Sequence, residues 1–169
     1  IPVYNEAASI RQVLDAVEKS DIGPIAKEVI IVDDGSTDGT REVLRSLEGD
    51  SRYRIAYHDR NHGKGAALKT GFGLATGEYI LIQDADLEYD PQEYPRLLYP
   101  IERGHADVVY GSRFIGGEPH RIIYFRNQVA NKFLTFLSNV FTGLNLTDME
   151  TCYKTFRGDL VRGLAKNLK

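Results

Sequence analysis

Cysteine is nearly missing from this chain: Cys152 is the only one in 169 residues. A single thiol forms no intrachain disulfide and supports no cysteine-based zinc site. It fits a reducing compartment, and it reads as a small core residue. Tryptophan is absent altogether. No apolar run reaches the roughly 18 residues that a spanning helix needs, so this stretch holds none. No signal peptide is visible, and neither repeats nor low-complexity tracts occur. An excess of one charge is missing too: 21 Lys and Arg stand against 24 Asp and Glu, a net charge of −3. A nucleic-acid-binding surface is expected to be strongly basic, so no nucleic-acid partner is expected. What is present is an ordinary globular balance, 42% apolar and 27% charged. The length suits a single domain, residues 1–169, with a real core. The chain opens on Ile1-Pro2-Val3-Tyr4-Asn5-Glu6 with no complete strand before it. It therefore reads as a fragment of a longer protein, cut at its first strand and lacking the C-terminal remainder.

Strand and helix patterns alternate. Ile10, Val13, Leu14 and Val17 recur at helical spacing, which predicts a helix over residues 6–20 entered through Asn5. The run from Glu28 to Asp33 is β-branched, as in a strand buried on both faces. Helices are expected over 40–47 and 64–75, and strands over 53–58, 78–83 and 107–110. Residues 92–103 read as a helix interrupted by Pro95 and Pro100. After a polar, Gly-rich stretch (112–126) come a helix over 127–142, a strand over 151–156 and a last helix from Gly158. This order implies right-handed βαβ crossovers and an α/β fold with a mostly parallel central sheet flanked by helices. Ligands of such sheets bind beyond the carboxyl ends of the strands.

Those strand ends are acidic. The first delivers Tyr4-Asn5-Glu6, the second Asp33-Asp34-Gly35-Ser36, and a later one Asp84-Ala85-Asp86-Leu87-Glu88. With Asp90 the last cluster holds four acids in seven residues. Two unit charges about 4 Å apart repel by about 4 kcal/mol at an effective dielectric of 20, so the cluster favours a cation. Hard carboxylate oxygens select Mg²⁺ or Mn²⁺, with substrate phosphates completing the shell. If the chain stays extended, Asp84, Asp86 and Glu88 aim one way; the alternative is a solvated acidic loop. Asp33 and Asp34 have a second reading as turn and cap residues. Gly63-Lys64-Gly65 lacks both the first Gly of a Walker loop and the hydroxyl residue after Lys, so no P-loop is present. No dinucleotide fingerprint follows a strand, and no Gly-x-Ser-x-Gly elbow occurs. His58 and His62 read as solvated surface histidines.

Five motifs stand in order: Pro2-x-Tyr4-Asn5-Glu6, Val32-Asp33-Asp34-Gly35-Ser36-x-Asp38-Gly39-Thr40, Asn61-x-Gly63-Lys64-Gly65, Asp84-Ala85-Asp86 and Gly111-Ser112-Arg113-Phe114. Over residues 1–157 this pattern resembles family-2 glycosyltransferases, and most closely the dolichyl-phosphate mannose synthase and bacterial polyprenyl-phosphate glycosyltransferase branch. The segment from Leu146 to Lys154 resembles that branch as well. The resemblance implies a glycosyltransferase A-type, Rossmann-like fold and a GDP- or UDP-linked sugar donor. It puts Pro2, Tyr4, Glu6, Val32 and Asp34 on the base and ribose. Asp84, Ala85 and Asp86 fall on ribose, diphosphate and metal, and Arg113 on the donor phosphates or sugar. Asp84, Asp86 and Arg113 are then the catalytic group, and Glu88 joins Asp84 and Asp86 as a metal ligand. The metal is Mg²⁺ or Mn²⁺.

The implied reaction is inverting transfer to a polyprenyl phosphate. An anionic acceptor needs no general base but does need cations, and Arg121 and Arg126 flank the helix after the Gly-rich loop. The alternative is a glycan or other hydroxyl acceptor, with Asp148 or Glu150 as base. Helix 127–142 carries Val129, Ala130, Phe133, Leu134, Phe136, Leu137, Val140 and Phe141. It reads either as a core helix or as an interfacial helix with its apolar side toward lipid. The second reading makes a peripheral protein of the cytoplasmic membrane face.

Overall fold

The computed structural model describes residues 1–114 and 125–165. The β-branched run forms β2 (Val29–Asp33), which pairs in parallel with β1 (Pro2–Val3) on one side and β3 (Tyr53–Tyr57) on the other. Helices α1 (Ile10–Lys19) and α2 (Thr40–Arg45) make the two crossovers of this three-stranded parallel sheet. The stripe Ile10, Val13, Leu14 and Val17 is buried, as its spacing requires. The start of α1 differs from the sequence reading. Asn5 does not cap it but adopts a left-handed backbone, φ 56°, and its Oδ1 accepts from the Thr37 amide at 2.8 Å. Asn5 thus ties the exit of β1 to the exit of β2.

The second half departs from a parallel sheet. After α3 (Lys64–Leu74) come β4 (Tyr79–Leu81), a 3₁₀ turn (Pro91–Glu93), α4 (Tyr94–Glu102) and β5 (Val108–Tyr110). β4 and β5 do not pair with each other. β6 (Lys154–Arg157) lies between them, antiparallel to both. A strand that returns after the long excursion through α5 (Phe125–Thr142) needs no crossover and can enter from the opposite direction. α6 (Gly158–Ala165) follows it directly. Pro95 is accommodated in the first turn of α4, where its missing N–H has no partner to lose. Pro100 sits inside the helix, yet Tyr94, Leu97, Leu98 and Ile101 still form its buried face.

The main core joins Val3, the α1 stripe, Ile31 and Leu44 to Leu97 and Tyr153; a smaller one holds Phe72, Ile82 and Val161. An apolar cavity of about 470 Å³, lined in part by Val29, Ala67, Phe72, Ile80 and Leu98, lies between the β1–β2 edge and β4.

α5 corrects the core-helix reading. Its buried residues are Asn131 and Thr135, while Phe133, Phe136, Val140 and Phe141 are 60–84% exposed. The apolar stripe faces away from the fold.

One backbone contact governs the strand-end geometry. Gly35 has φ +76°, and a Cβ there would lie 2.3 Å from the Arg60 carbonyl carbon and 2.5 Å from the Asn61 nitrogen. Gly35→Ala is therefore expected to destabilise the protein by about 3 kcal/mol, combining overpacking with a left-handed backbone. Urea denaturation measures it. A loss under about 1 kcal/mol would mean the approach is loose.

Candidate functional site at the strand ends

Asp34 leaves the end of β2 and is 2% exposed. Its Oδ1 meets His58 Nδ1 at 2.6 Å and accepts from the His62 amide at 3.0 Å; Oδ2 accepts from the Gly63 amide at 2.7 Å. Burial pushes the Asp34 carboxyl up, but the bonds from His58, His62 and Gly63 outweigh it and hold the group below the usual carboxylate value. Asp34 thus shapes the 58–63 loop. Asp33 is equally committed. It is fully buried and takes Arg41 Nε at 2.8 Å and the Ser36 amide at 3.2 Å. The turn reading holds for Asp33, but neither acid caps α2: its N-cap is Gly39, and the carboxylate beside it is Asp38, which accepts from the Thr40 amide at 3.0 Å.

His58 corrects the sequence reading. It is no solvated histidine: its ring is wedged between Asp34 and the Thr70 hydroxyl, with its side chain 15% exposed. His62 does stay near solvent, paired with Asp59.

The loop so fixed ends at Lys64, the first residue of α3. Lys64 Nζ lies 2.6 Å from Asp84 Oδ1 and donates to Cys152 Sγ at 2.9 Å. Burial disfavours the ammonium, but its bonds to Asp84 and Cys152 win, so its pKa is raised. Asp84 is in turn positioned by Gln83. The Gln83 carbonyl oxygen accepts from the Tyr94 and Tyr153 hydroxyls, each at 2.8 Å, and its amide nitrogen donates to the Asp84 carbonyl at 2.9 Å. Ala85 beside it is 4% exposed. The extended alignment of Asp84, Asp86 and Glu88 does not occur. Leu87 turns left-handed, φ 63°, and Asp86 Oδ1 accepts from the Glu88 amide at 3.0 Å. Among the described residues no three His, Cys, Asp or Glu side chains converge into a metal cage. In kind the donors still fit a hard divalent cation: Asp84 already draws one cation, Lys64, and Asp86 is exposed two residues on.

A second polar cluster closes the far side. The Arg113 guanidinium forks onto Asp148, Nε to Oδ2 at 2.7 Å and Nη2 to Oδ1 at 2.9 Å. Asp148, 1% exposed, also accepts from Asn131 Nδ2 at 2.9 Å. Asn131 reaches Glu150 at 3.1 Å as well, and its Oδ1 accepts from the Thr135 hydroxyl. Burial raises the Asp148 carboxyl, yet Arg113 and Asn131 outweigh it, and the group ends below the usual range. A buried carboxylate bonded this way is a poor proton acceptor, so of the two base candidates only Glu150 is left. Asp148 takes two of the five N–H groups of Arg113, the residue expected on the donor.

The remaining expected residues fall as follows. Pro2 pairs with Val32 across β1 and β2, Val32 is 1% exposed, Tyr4 is 45% exposed, and Glu6 accepts from Ser9. Arg126 is exposed on α5. Arg121 and most of the 116–126 acceptor loop lie outside the described residues. Sequence reading missed Lys64, Gln83, Cys152 and Asn131 as site-building residues. For Lys64 a signal existed in the Gly63-Lys64-Gly65 motif; for Gln83 and Asn131 the only signal was an amide inside an apolar pattern.

The α/β fold with these acidic strand ends is shared with solved glycosyltransferases and is of the glycosyltransferase A type. The chain belongs to glycosyl transferase family 2, which residues 1–164 match. It is 33% identical over 165 residues to the undecaprenyl-phosphate 4-deoxy-4-formamido-L-arabinose transferase of Aeromonas hydrophila, covering 95% of this chain and 48% of that protein. The Yersinia pestis transferase of the same name is 30% identical over 167 residues, with 97% and 49% covered. Among solved structures it is similar to the mannosyltransferase PcManGT from Pyrobaculum calidifontis in complex with GDP-Man and Mn²⁺. That match has a TM-score of 0.69 at 25% identity and covers 96% of this chain and 44% of the other. The chain spans about half the length of the curated relatives it matches.

Asp34 and Asp148 both titrate below the ordinary carboxyl value of 3.8. Their contribution to stability is complete above that pH and is lost as the pH falls through the folded-state values. Asp34→Asn is expected to cost about 2 kcal/mol at pH 7. It should also flatten the acid limb of the stability–pH curve below pH 4. Chemical denaturation across pH measures both. An unchanged acid limb would show that Asp34 titrates normally.

Proposed function

We propose that this chain is the donor-binding and catalytic part of an inverting glycosyltransferase. It takes a sugar from a GDP- or UDP-linked donor and gives it to a polyprenyl phosphate. The observation that carries the reading is Asp84 at the end of β4, presented by Gln83 and already balanced by a cation. The names of the relatives, two undecaprenyl-phosphate transferases and a GDP-Man and Mn²⁺ complex, support the donor and acceptor classes.

Asp84 and Asp86 would hold the divalent cation, Mg²⁺ or Mn²⁺, and Glu88 falls out of the ligand set. When bound, such a cation neutralises the departing diphosphate as a Lewis acid. Tyr4, exposed at the end of β1, would meet the base, with Pro2 and Val32 packed behind it and Asp34 acting through the loop it shapes. Arg113, oriented by Asp148, offers its remaining N–H groups to donor oxygens. An acceptor phosphate is anionic at neutral pH and needs no base, only cations, which is the role of Arg126 and Arg121. A hydroxyl acceptor would depend on Glu150, since Asp148 is committed to Arg113.

The outward apolar face of α5 supports a membrane partner. No helix among the described residues is long and apolar enough to cross a membrane. Phe133, Phe136, Val140 and Phe141 instead suit an interfacial position with their side toward lipid, and Arg126 suits an anionic head group. The protein would then work at the cytoplasmic membrane face as a peripheral enzyme.

Three variants test this in the intact protein. Asp86→Ala is expected to lower sugar transfer to undecaprenyl phosphate at least about 100-fold with an unchanged melting temperature. Near-normal transfer by that variant would remove Asp86 from the reaction. Phe136→Ser is expected to reduce flotation with anionic liposomes, and Arg126→Ala to raise the KM for polyprenyl phosphate about tenfold while donor binding is kept. Efficient transfer to soluble hydroxyl acceptors without liposome binding would favour the glycan alternative.

A further inference from the structure

Lys64 is placed where its own helix gains nothing from it. It is the first residue of α3, whose first turn holds no acid and whose N-cap, Gly63, provides no side-chain cap. A helix N-terminus carries partial positive charge and favours anions, so a lysine there works against the dipole. Its backbone is nevertheless fixed, because Asp34 holds the Gly63 amide next to it. Its head is not fixed in the same way. The side chain is 47% exposed, and its two contacts are unequal: the Asp84 carboxylate at 2.6 Å and a neutral thiol, a weak acceptor, at 2.9 Å. Asp84 is the opposite case, with its side chain only 13% exposed and its backbone held by Gln83. A half-exposed cation on a flexible stem is therefore paired with a mostly buried anion. Beside it, a Cβ on Gly65 would meet nothing within 4 Å among the described residues.

We infer that Lys64 is the exchangeable counter-ion of Asp84: it balances the carboxylate while no divalent cation is there, and moves to the donor diphosphate once Asp84 is taken up. This rests on the reading of the site as a place for a cation and a nucleoside diphosphate. The stem of Lys64 leaves its ammonium free to move from Asp84 to a neighbouring oxygen anion, and a compact ammonium suits phosphate. No proton changes hands; one ion pair is exchanged for another. Net charge around Asp84 stays nearly constant before and after binding, which avoids leaving a poorly solvated carboxylate unpaired. By linkage the two halves of the exchange have opposite signs. Lys64 competes with a bare cation and cooperates with a nucleotide.

Lys64→Met, Lys64→Gln and Lys64→Arg test this in the full chain, with binding as the readout. Mn²⁺ alone is titrated by electron paramagnetic resonance, and GDP and UDP by calorimetry at saturating Mn²⁺. Lys64→Met and Lys64→Gln are expected to tighten Mn²⁺ alone by about threefold or more, and to weaken the bound nucleotide by about tenfold or more. Lys64→Arg, which keeps the charge, is expected to keep nucleotide affinity within about threefold of the parent. In an Asp84→Asn background the tightening of Mn²⁺ should vanish. Loss of both affinities together, or change in neither, overturns the exchange and leaves Lys64 a structural residue. A parent protein that binds neither Mn²⁺ nor either nucleotide overturns the site itself, and the Lys64 role with it.

Discussion

The strand-end surface depends on one close approach. The turn leaving β2 must touch the backbone of the 58–63 loop, with Gly35 against Arg60 and Asn61 and the Asp34 carboxylate on the His62 and Gly63 amides. Glycine makes the contact possible and the carboxylate makes it favourable. The direction of α3 follows, because its N-cap, Gly63, belongs to the same loop. The place of Lys64 follows from α3, and with it the charge balance at Asp84. A motif of contiguous acids thus has its hydrogen bonding directed inward, as scaffolding.

α5 obeys the same economy of buried charge. Its inner side is polar because it must satisfy Asp148, which neutralises Arg113 and would be costly to bury alone. Asn131 and Thr135, one turn apart, meet that demand. The apolar residues are then displaced to the outside, where nothing among the described residues covers them. The membrane-facing reading and the arginine fork on buried Asp148 are two consequences of one helix orientation.

Much of this was legible in the sequence. The β-branched run of β2, the stripe of α1 and the order of the five motifs predicted the parallel half of the sheet and the acidic strand ends. Other parts were hidden for physical reasons. β6 carries Lys154, Thr155, Phe156 and Arg157, which alternate weakly, and its place between β4 and β5 is set by pairing at long range. Periodicity revealed an apolar stripe on α5, but not which way it faces; that is decided by Asp148, beyond the helix. His58 read as surface because its partner Asp34 lies a full crossover away. The left-handed residue Leu87, which breaks the alignment of Asp84, Asp86 and Glu88, has no glycine or asparagine to announce it.

The central claim is that the carboxyl end of β4 receives the charged end of a nucleotide-linked donor. Anomalous scattering at the manganese edge tests it most directly, on crystals of the protein grown with Mn²⁺ and either GDP or UDP. The account predicts one manganese peak in bonding contact with the Asp84 or Asp86 carboxylate and with the diphosphate of the nucleotide. A nucleotide bound away from these carboxylates, or manganese held by other side chains, would contradict it.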